Sequence, residues 1–269
     1  MKIRIRLWVK ILLILLLLIS IFFLYSRYIG IKGLNVKEYS IVDNQLPESF
    51  YGFKIVQISD IHYKVSTSKD DLNKIVENIN RLKPDIVIFT GDLFDNKIKY
   101  SSEDYNDLKK ILSNINYNIG KFAIKGENDK SNKWEEIIKD SDFIDLNSKS
   151  EFIYNNGINP ILLVGINSKK DLNNINNKNM YSILIMHNPD LIDKIDISKF
   201  NLVLAGHTHG GIIKIPFMGG IIKNSNKYIN DYYEIDNTKL YVSSGIGTHK
   251  HKLRFLNKPS INIYRLRNK

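Results

Sequence analysis

Cysteine is absent from this chain of 269 residues, so no disulfide bond can stabilise it. A domain exported from the cytoplasm would therefore depend for its stability on its hydrophobic core alone. No internal repeat, zinc finger, helix-turn-helix or aromatic platform for single strands is evident in the sequence. These absences exclude a disulfide-stapled scaffold and give no support for a nucleic-acid-binding module.

Positive charge is scarce outside the N-terminal segment. Residues 1–38 carry seven Lys and Arg and one Glu, and so contribute +6 of the formal net charge of +11. The remaining 231 residues have a net charge of only +5. This weak charge is compatible with an anionic substrate or with anionic lipid headgroups, but it is too weak to predict a nucleic-acid partner.

A long apolar run occupies residues 7–25, and only Lys10 and Ser20 interrupt it. Its length is near the roughly twenty residues needed to cross a bilayer core, so we expect a transmembrane helix. The positive-inside rule predicts a cytoplasmic N-terminus and an extracytoplasmic domain, because cations gather at the start of the run: Lys2, Arg4, Arg6 and Lys10. Three cations beyond the run oppose this orientation: Arg27, Lys32 and Lys37.

Bulky side chains at residues 22–25 follow the apolar core, where a cleaved signal peptide would have small residues. No arginine pair of a twin-arginine export signal is present. We therefore expect the helix to be retained as a membrane anchor. The predicted organisation is a basic tail and anchor at 1–30, a linker at 31–48 and one domain at 49–269.

Four short apolar runs further along the chain each end in residues that can bind metal. The runs are typical of strands buried on both faces and cover residues 55–58, 86–89, 183–186 and 202–204. In open α/β sheets, functional residues gather beyond the carboxyl ends of such strands. We therefore expect six side chains to meet in space: Asp60, His62, Asp92, His187, His207 and His209.

The chemistry of this set predicts transition metals. Taken singly, an Asp after a strand is most often a cap and a His is most often a hydrogen-bonded loop residue. Four of the six histidines, however, lie at these strand ends. Mixed carboxylate and imidazole ligands suit Mn, Fe or Zn, and their number exceeds what one catalytic ion takes. Two ions are therefore expected, and Asp92 is the natural bridging carboxylate.

These residues resemble the motifs of the calcineurin-like metallophosphoesterases, in particular a membrane-anchored bacterial subgroup. The resemblance covers residues 53–265, and the final motif continues into a double glycine, Gly210-Gly211, as in that subgroup. The motifs read Asp60-Ile61-His62, Gly91-Asp92-Leu93-Phe94-Asp95, Gly126-Glu127-Asn128-Asp129, His187 and Gly206-His207-Thr208-His209.

The resemblance implies a hydrolase in which a hydroxide held between two divalent ions attacks phosphorus. One ion is expected on Asp60, His62, Asp92 and His209, and the other on Asp92, the residue at position 127, His187 and His207. A phosphorylated small molecule or lipid-linked compound is the expected substrate, with a nucleotide-linked acylated sugar as one type in this subgroup. The alternative is a catalytically weak module that holds a phosphorylated ligand in the same pocket.

One motif departs from the family. The pattern has Asn and then His where this chain has Glu127 and Asn128, and a shift by one residue would instead make Asn128 the ligand. If the register holds, Glu127 is an anionic ligand and Asn128 replaces the family histidine that binds phosphate and protonates the leaving oxygen. Proton donation typically contributes about 10²–10⁴-fold, and Asn128 cannot supply it. Asn128 and Asp95 are the predicted catalytic residues.

Residues 241–247 resemble a late family strand and glycine turn that approach the site, with Ser244 where a basic residue is sometimes found. A basic cluster follows this segment, and it either assists phosphate binding or forms a solvated loop: His249, Lys250, His251, Lys252 and Arg254.

The order of predicted elements fits the fold that the resemblance implies. Strands to Ser59 and after Pro84 flank an amphipathic helix at 70–82, which makes a βαβ unit. A second helix is predicted at 105–115 and a third strand at 122–125. Shorter strands follow near 151–154, 161–164, 228–233, 240–243 and 261–265. We expect a four-layer α/β/β/α sandwich of two mixed sheets, preceded by the transmembrane helix.

Overall fold

The structure is a computed structural model that describes residues 6–130, 132–172, 175, 180–215, 217, 219–221, 225, 227–249 and 252–267. Helix α1 spans Leu7–Leu24 and continues as a π-helical segment to Ile29. Within the described residues, the helical stretch Leu7–Ile29 is long and apolar enough to cross a membrane. No side chain of α1 is buried, whereas Ser26 in the π-helical segment is buried.

Two six-stranded mixed sheets form the body of the domain. The first sheet has the order β1-β14-β2-β3-β4-β5, in which β2 to β5 run parallel. Its strands are β1 Asn35–Val42, β2 Lys54–Ile58, β3 Ile86–Phe89, β4 Gly120–Ala123, β5 Ile144–Asp145 and β14 Ser260–Arg267. Strand β14 runs antiparallel to β2 and parallel to β1.

The second sheet has the order β12-β13-β9-β8-β7-β6, and its four central strands run parallel. Its strands are β6 Lys149–Ile153, β7 Ile161–Ile166, β8 Ser182–Met186, β9 Leu202–Ala205, β12 Tyr232–Ile235 and β13 Thr238–Val242. A separate two-stranded hairpin pairs β10 Lys214–Ile215 with β11 Gly219–Gly220.

The core lies in three apolar layers. Isoleucines such as Ile88 and Ile185 fill the space between the two sheets. Helices α2 Lys69–Leu82, α3 Ser102–Ser113 and α4 Trp134–Asp140 cover the outer face of the first sheet. On the described part of the second sheet the outer face is covered by the 3₁₀ segment Pro189–Lys194 and neighbouring loops. The predicted fold class is confirmed, with a thin fourth layer.

Helices α2 and α3 have the same type of N-terminal cap. Ser68 caps α2 and Ser101 caps α3, and each forms a reciprocal capping box with the Asp three residues later. The apolar spacing predicted that these helices begin at residues 70 and 105. In the structure α2 begins at Lys69 and α3 begins at Ser102. The difference arises because the first helical turn is polar and the apolar spacing begins only after it.

The structure differs from the sequence interpretation at the predicted linker 31–48. Residues 35–42 form strand β1, which pairs with β14 along its whole length. Only Ile41 of this strand is fully buried, so the sequence shows too weak an apolar alternation to reveal it. The strand predicted at 228–233 lies instead at Tyr232–Ile235, because Tyr228 is a buried loop residue whose hydroxyl donates to Asp193.

Candidate metal centre

The predicted ligands follow four strands that end at one edge of the two sheets. Asp60 and His62 follow β2, Asp92 follows β3, His187 follows β8, and His207 and His209 follow β9. Main-chain hydrogen bonds link neighbouring loops: the Asp60 N–H donates to the Gly91 carbonyl at 2.8 Å, and the Gly206 N–H donates to the His187 carbonyl at 2.9 Å. Side chains from both sheets therefore converge, as the sequence predicted.

The backbone of the site is held in an uncommon conformation. Five of the seven predicted metal-binding residues have positive φ: Asp60 (53°), His62 (46°), Asp92 (60°), His207 (70°) and His209 (51°). Such a conformation is rare outside glycine, and it clusters where the surrounding structure holds functional groups in place. The local strain is a first sign that this edge is a functional site.

Asp60, His62 and His209 form the first of two ligand groups. Their candidate ligand atoms lie within 4.8 Å of one another, and all three side chains are buried. His209 Nδ1 lies 3.1 Å from the carbonyl oxygen of Gly247, which fixes the proton on Nδ1. The Nε2 lone pair of His209 is thereby directed at Asp60, whose Oδ1 is 3.7 Å away.

The second group consists of Asp92, His187 and His207. His187 Nδ1 lies 2.7 Å from the Thr90 carbonyl oxygen, so its Nε2 also faces the site, 3.4 Å from Asp92 Oδ2. His207 Nδ1 lies 3.2 Å from His187 Nε2. The main-chain carbonyl oxygen of Thr90 thus plays the same tautomer-fixing role in this group that the carbonyl of Gly247 plays in the first.

Asp92 joins the two groups. Its Oδ2 lies 3.6 Å from His62 Nε2 on one side and 3.4 Å from His187 Nε2 on the other. These gaps are too long for hydrogen bonds. Ligands bound ~2.1 Å from a shared ion stand roughly 3.0–3.5 Å apart, so the spacing matches ligands that surround cations. Asp92 is in the position expected of a bridging carboxylate.

His62 provides the test of whether a cation fits. Its side chain is fully buried, and both of its ring nitrogens lack a hydrogen-bond partner. An unsatisfied buried polar atom costs about 1–3 kcal/mol, so native proteins rarely leave two on one ring. A cation between Asp60, Asp92 and His62 would satisfy Nε2, which faces Asp92, and the mixed nitrogen and oxygen donors suit a divalent transition metal. Nδ1 lies on the other side of the ring, 3.7 Å from Asp95 Oδ2.

Buried charge perturbs the site strongly. Burial alone would raise the pKa of Asp92, but the adjacent His187 and His62 lower it far below its ordinary value. Burial opposes protonation of His187, whereas Asp92 raises the pKa of that imidazole to about 10. Burial lowers the pKa of His209 to about 3. Such shifts are typical of functional sites.

The Glu127-Asn128 pair lies at the edge of the second group. The Asn128 main-chain N–H donates to Asp92 Oδ1 at 2.8 Å, and its side-chain amide lies 2.7 Å from Asp92 Oδ2. Glu127 is 59% exposed, accepts a hydrogen bond from the Asn188 amide and stays 4.0 Å from His207 Nε2. Asn128 therefore contacts the carboxylate that joins both groups, whereas Glu127 lies at the rim.

Asp129 holds the loop that carries Asn128. Its carboxylate accepts main-chain N–H bonds from Asp92 at 2.8 Å, Phe94 at 3.0 Å and Gly126 at 2.9 Å. Burial and the nearby Asp92 raise the pKa of Asp129 to about 7. The two loops also touch directly, since a Cβ on Gly126 would lie 2.2 Å from Asp92 Oδ1. The position of Asp92 thus depends on this second loop.

The structure brings one further histidine to the site that the motifs did not place there. His249 Nδ1 lies 2.5 Å from Oδ2 of Asp95, and His62, Asp95 and His249 form a third candidate ligand group. The sequence feature that could have indicated His249 was the basic cluster after residue 247. The described members of that cluster have different surroundings. Arg254 is buried and donates to main-chain carbonyls, whereas Lys250 and His251 lie outside the described residues.

The sequence of the chain is similar to a known protein family and to individual members of it. Residues 53–211 match the model of the calcineurin-like phosphoesterases. The chain is 32% identical over 260 residues to the uncharacterized metallophosphoesterase YkuE of Bacillus subtilis, covering 90% of this chain and 89% of that protein. It is 25% identical over 303 residues to the UDP-2,3-diacylglucosamine pyrophosphatase LpxG of Chlamydia muridarum, with coverages of 86% and 89%.

Among solved structures, the calcineurin-like phosphoesterase YfkN of Bacillus subtilis aligns with a TM-score of 0.41 at 14% identity, covering 72% of this chain and 82% of that one.

We expect Asp129→Ala to lower the free energy of unfolding by about 3 kcal/mol, because three main-chain N–H groups lose their acceptor. Chemical denaturation of the full chain measures this change. The exposed Glu151→Ala is the control and should stay within about 0.5 kcal/mol of wild type. Equal stability of the two variants would show that Asp129 does not hold the loops together.

Proposed function

Because the chain belongs to the calcineurin-like phosphoesterase family, we propose that it hydrolyses a phosphoester or pyrophosphate bond of an amphiphilic substrate at a membrane surface. Membership makes it a metal-dependent phosphoester hydrolase. The observation that carries the proposal is the convergence of two buried ligand groups on the shared carboxylate of Asp92.

We assign the first cation to Asp60, His62, Asp92 and His209, and the second to Asp92, His187 and His207 with a further donor from the loop at 126–129. Mn, Fe and Zn are the ions that these donors suit. Bound divalent cations lower the pKa of water and neutralise charge on phosphoryl oxygens. The buried histidines exclude bulk water from the reacting centre on the protein side.

For the further donor of the second cation, we propose Asn128 in place of Glu127. The support is geometric: the amide of Asn128 lies against Asp92 Oδ2, whereas Glu127 points towards Asn188 and solvent. A rotation of the amide by 180° exchanges its nitrogen and oxygen, so Asn128 can present an oxygen at the same place. A neutral amide leaves the second cation a stronger Lewis acid than a carboxylate would.

The helix at the N-terminus supports a membrane location. The ring of Phe255 packs on Phe22 at 4.8 Å and on Tyr25 at 5.5 Å between ring centroids, and the Arg254 N–H donates to the Ser26 carbonyl at 3.0 Å. The same loop reaches the site, because the Asn257 amide donates to the His209 carbonyl at 2.5 Å. The candidate anchor and the metal centre are therefore joined by one short loop.

This arrangement favours a substrate that stays partly in the bilayer. Two relatives are named UDP-2,3-diacylglucosamine pyrophosphatase, a name that describes an acylated nucleotide sugar as their substrate. Their similarity covers most of this chain. We propose a nucleotide-linked acylated sugar, cleaved at its pyrophosphate, as the substrate type. With a cytoplasmic basic tail and the stretch Leu7–Ile29 crossing the membrane, the domain would lie on the extracytoplasmic side.

Hydrolysis of bis(p-nitrophenyl) phosphate with added Mn tests the activity. We expect turnover by the full chain in detergent, and a loss of about 10²-fold or more in kcat/KM for Asp92→Asn, because both cations lose a shared ligand. Asp236→Asn is the matched control: it makes the same substitution at an exposed residue that also has positive φ. Equal background in Asp92→Asn and wild type would favour the phospho-ligand-binding module.

Elemental analysis tests the assignment of the second cation. Asn128→Ala is expected to lose up to one ion per chain after dialysis, because the second site loses a direct donor, whereas Glu127→Gln should keep the wild-type metal content. The opposite result, with loss only in Glu127→Gln, would restore Glu127 as the ligand and place Asn128 outside the cation site.

The substrate type is tested with a matched pair of compounds in mixed micelles. We expect kcat/KM for a UDP-linked diacylated glucosamine to exceed that for the same nucleotide sugar without acyl chains by at least about tenfold, the effect of about 1.4 kcal/mol of binding. Release of UMP measures both reactions. Equal rates would contradict an amphiphilic substrate and leave the hydrolase activity standing.

A further inference from the structure

His249 reaches the metal centre from the loop after β13. Its ring centroid lies 5.5 Å from that of His62, and its Nδ1 lies 2.5 Å from Asp95 Oδ2. The side chain retains 15% exposure, unlike the fully buried His62. A partly exposed imidazole beside the candidate ligands is in a position to meet a substrate that enters the site from solvent.

Asp95 is fixed by its own neighbours. Its Oδ1 accepts the Lys97 N–H at 3.0 Å, and its main-chain N–H donates to the Tyr100 hydroxyl at 2.8 Å, which in turn donates to the Tyr63 carbonyl. The second carboxylate oxygen, Oδ2, contacts His249 and also lies 3.7 Å from His62 Nδ1. A carboxylate on Nδ1 sets the tautomer of an imidazole and directs Nε2 to the opposite side of the ring.

The loop that carries His249 is attached to the site by its main chain. The Gly247 N–H donates to the Asp60 carbonyl at 2.6 Å, and the Thr248 N–H donates to Ser66 Oγ at 2.6 Å. The buried Arg254 donates to the Gly247 carbonyl at 2.6 Å. A Cβ on Gly247 would lie 2.3 Å from the Ile61 carbonyl oxygen, so only glycine allows this approach. His249 is therefore held at a fixed distance from Asp60.

Position 128, on the loop at 126–129, holds a residue that cannot donate a proton. Asn128 stands where the resembling motif has histidine, its amide is engaged with Asp92, and an amide cannot transfer a proton. Asn128 and Asp95 line the same cleft of about 430 Å³. Asp95 in turn contacts His249.

We propose that His249 is a catalytic residue that contacts the leaving-group oxygen and gives it a proton, with Asp95 as its positioning residue. The inference rests on the proposed hydrolase function. A water oxygen forms the new bond to phosphorus while the bond from phosphorus to the leaving oxygen breaks. That oxygen keeps the electron pair and takes the proton from His249 Nε2. The proton released by the attacking water passes to solvent, from which His249 is reprotonated.

The test compares leaving groups in the full chain. An aryl phosphodiester with a p-nitrophenolate leaving group needs no proton, whereas an alkyl phosphodiester does. His249→Gln should therefore lower kcat on the alkyl ester by about 10²–10⁴-fold and leave kcat on the aryl ester within about threefold of wild type. Asp95→Asn should show the same split with a smaller loss. Equal losses on both esters would overturn the proposal, since a structural defect gives no such split.

A second readout separates a proton donor from a metal ligand, because His62, Asp95 and His249 also have ligand-like spacing. Elemental analysis of His249→Gln should give the wild-type metal content. Loss of one ion per chain would make His249 a ligand and overturn the proposal. A wild type that hydrolyses neither ester overturns the proposed function and this role with it, whereas an unaffected His249→Gln variant overturns only the role of His249.

Discussion

The site depends on the compensation of buried carboxylates by imidazoles where two sheets meet. Asp60 and Asp92 are taken out of water at the ends of β2 and β3, and each faces histidines brought by the second sheet. Burial would favour the uncharged carboxyl, and at Asp92 the neighbouring His187 and the Asn128 N–H reverse this preference. The carboxyl ends of strands from both sheets therefore meet at this edge, while an apolar cluster fills the space between the sheets.

The loops around this charge cluster are held by main-chain contacts more than by side-chain packing. Gly91, Gly126 and Gly206 each lie so close to a neighbouring loop that a Cβ would clash with it. Five candidate ligands with positive φ are kept in place by the hydrogen bonds of these loops. The strands and the glycine contacts thus hold the candidate ligands in their strained backbone conformation. This is the usual arrangement of a preorganised site.

Sequence reasoning placed the candidate ligands at one edge because each of their loops follows a continuous apolar run, a pattern that specifies both the strand and its end. It favoured Glu127 over Asn128 as the ligand because the motif aligns without a gap, but either residue can bind a cation, and the choice depends on the direction of two adjacent side chains. It also did not place His249, whose partner Asp95 is 154 residues away and whose neighbours suggested a solvated basic loop. Strand β1 was missed because its alternation is mostly exposed.

Strand β1 has a practical consequence for the design of fragments. It pairs with β14 over eight residues and covers the edge of the first sheet. A fragment starting at residue 49 would retain every candidate ligand but leave unpaired N–H and C=O groups along β14, a strand that is otherwise largely buried. Such an exposed edge is a template for self-association. A soluble form for crystallisation should therefore begin ahead of Asn35, even though all of the chemistry lies beyond residue 59.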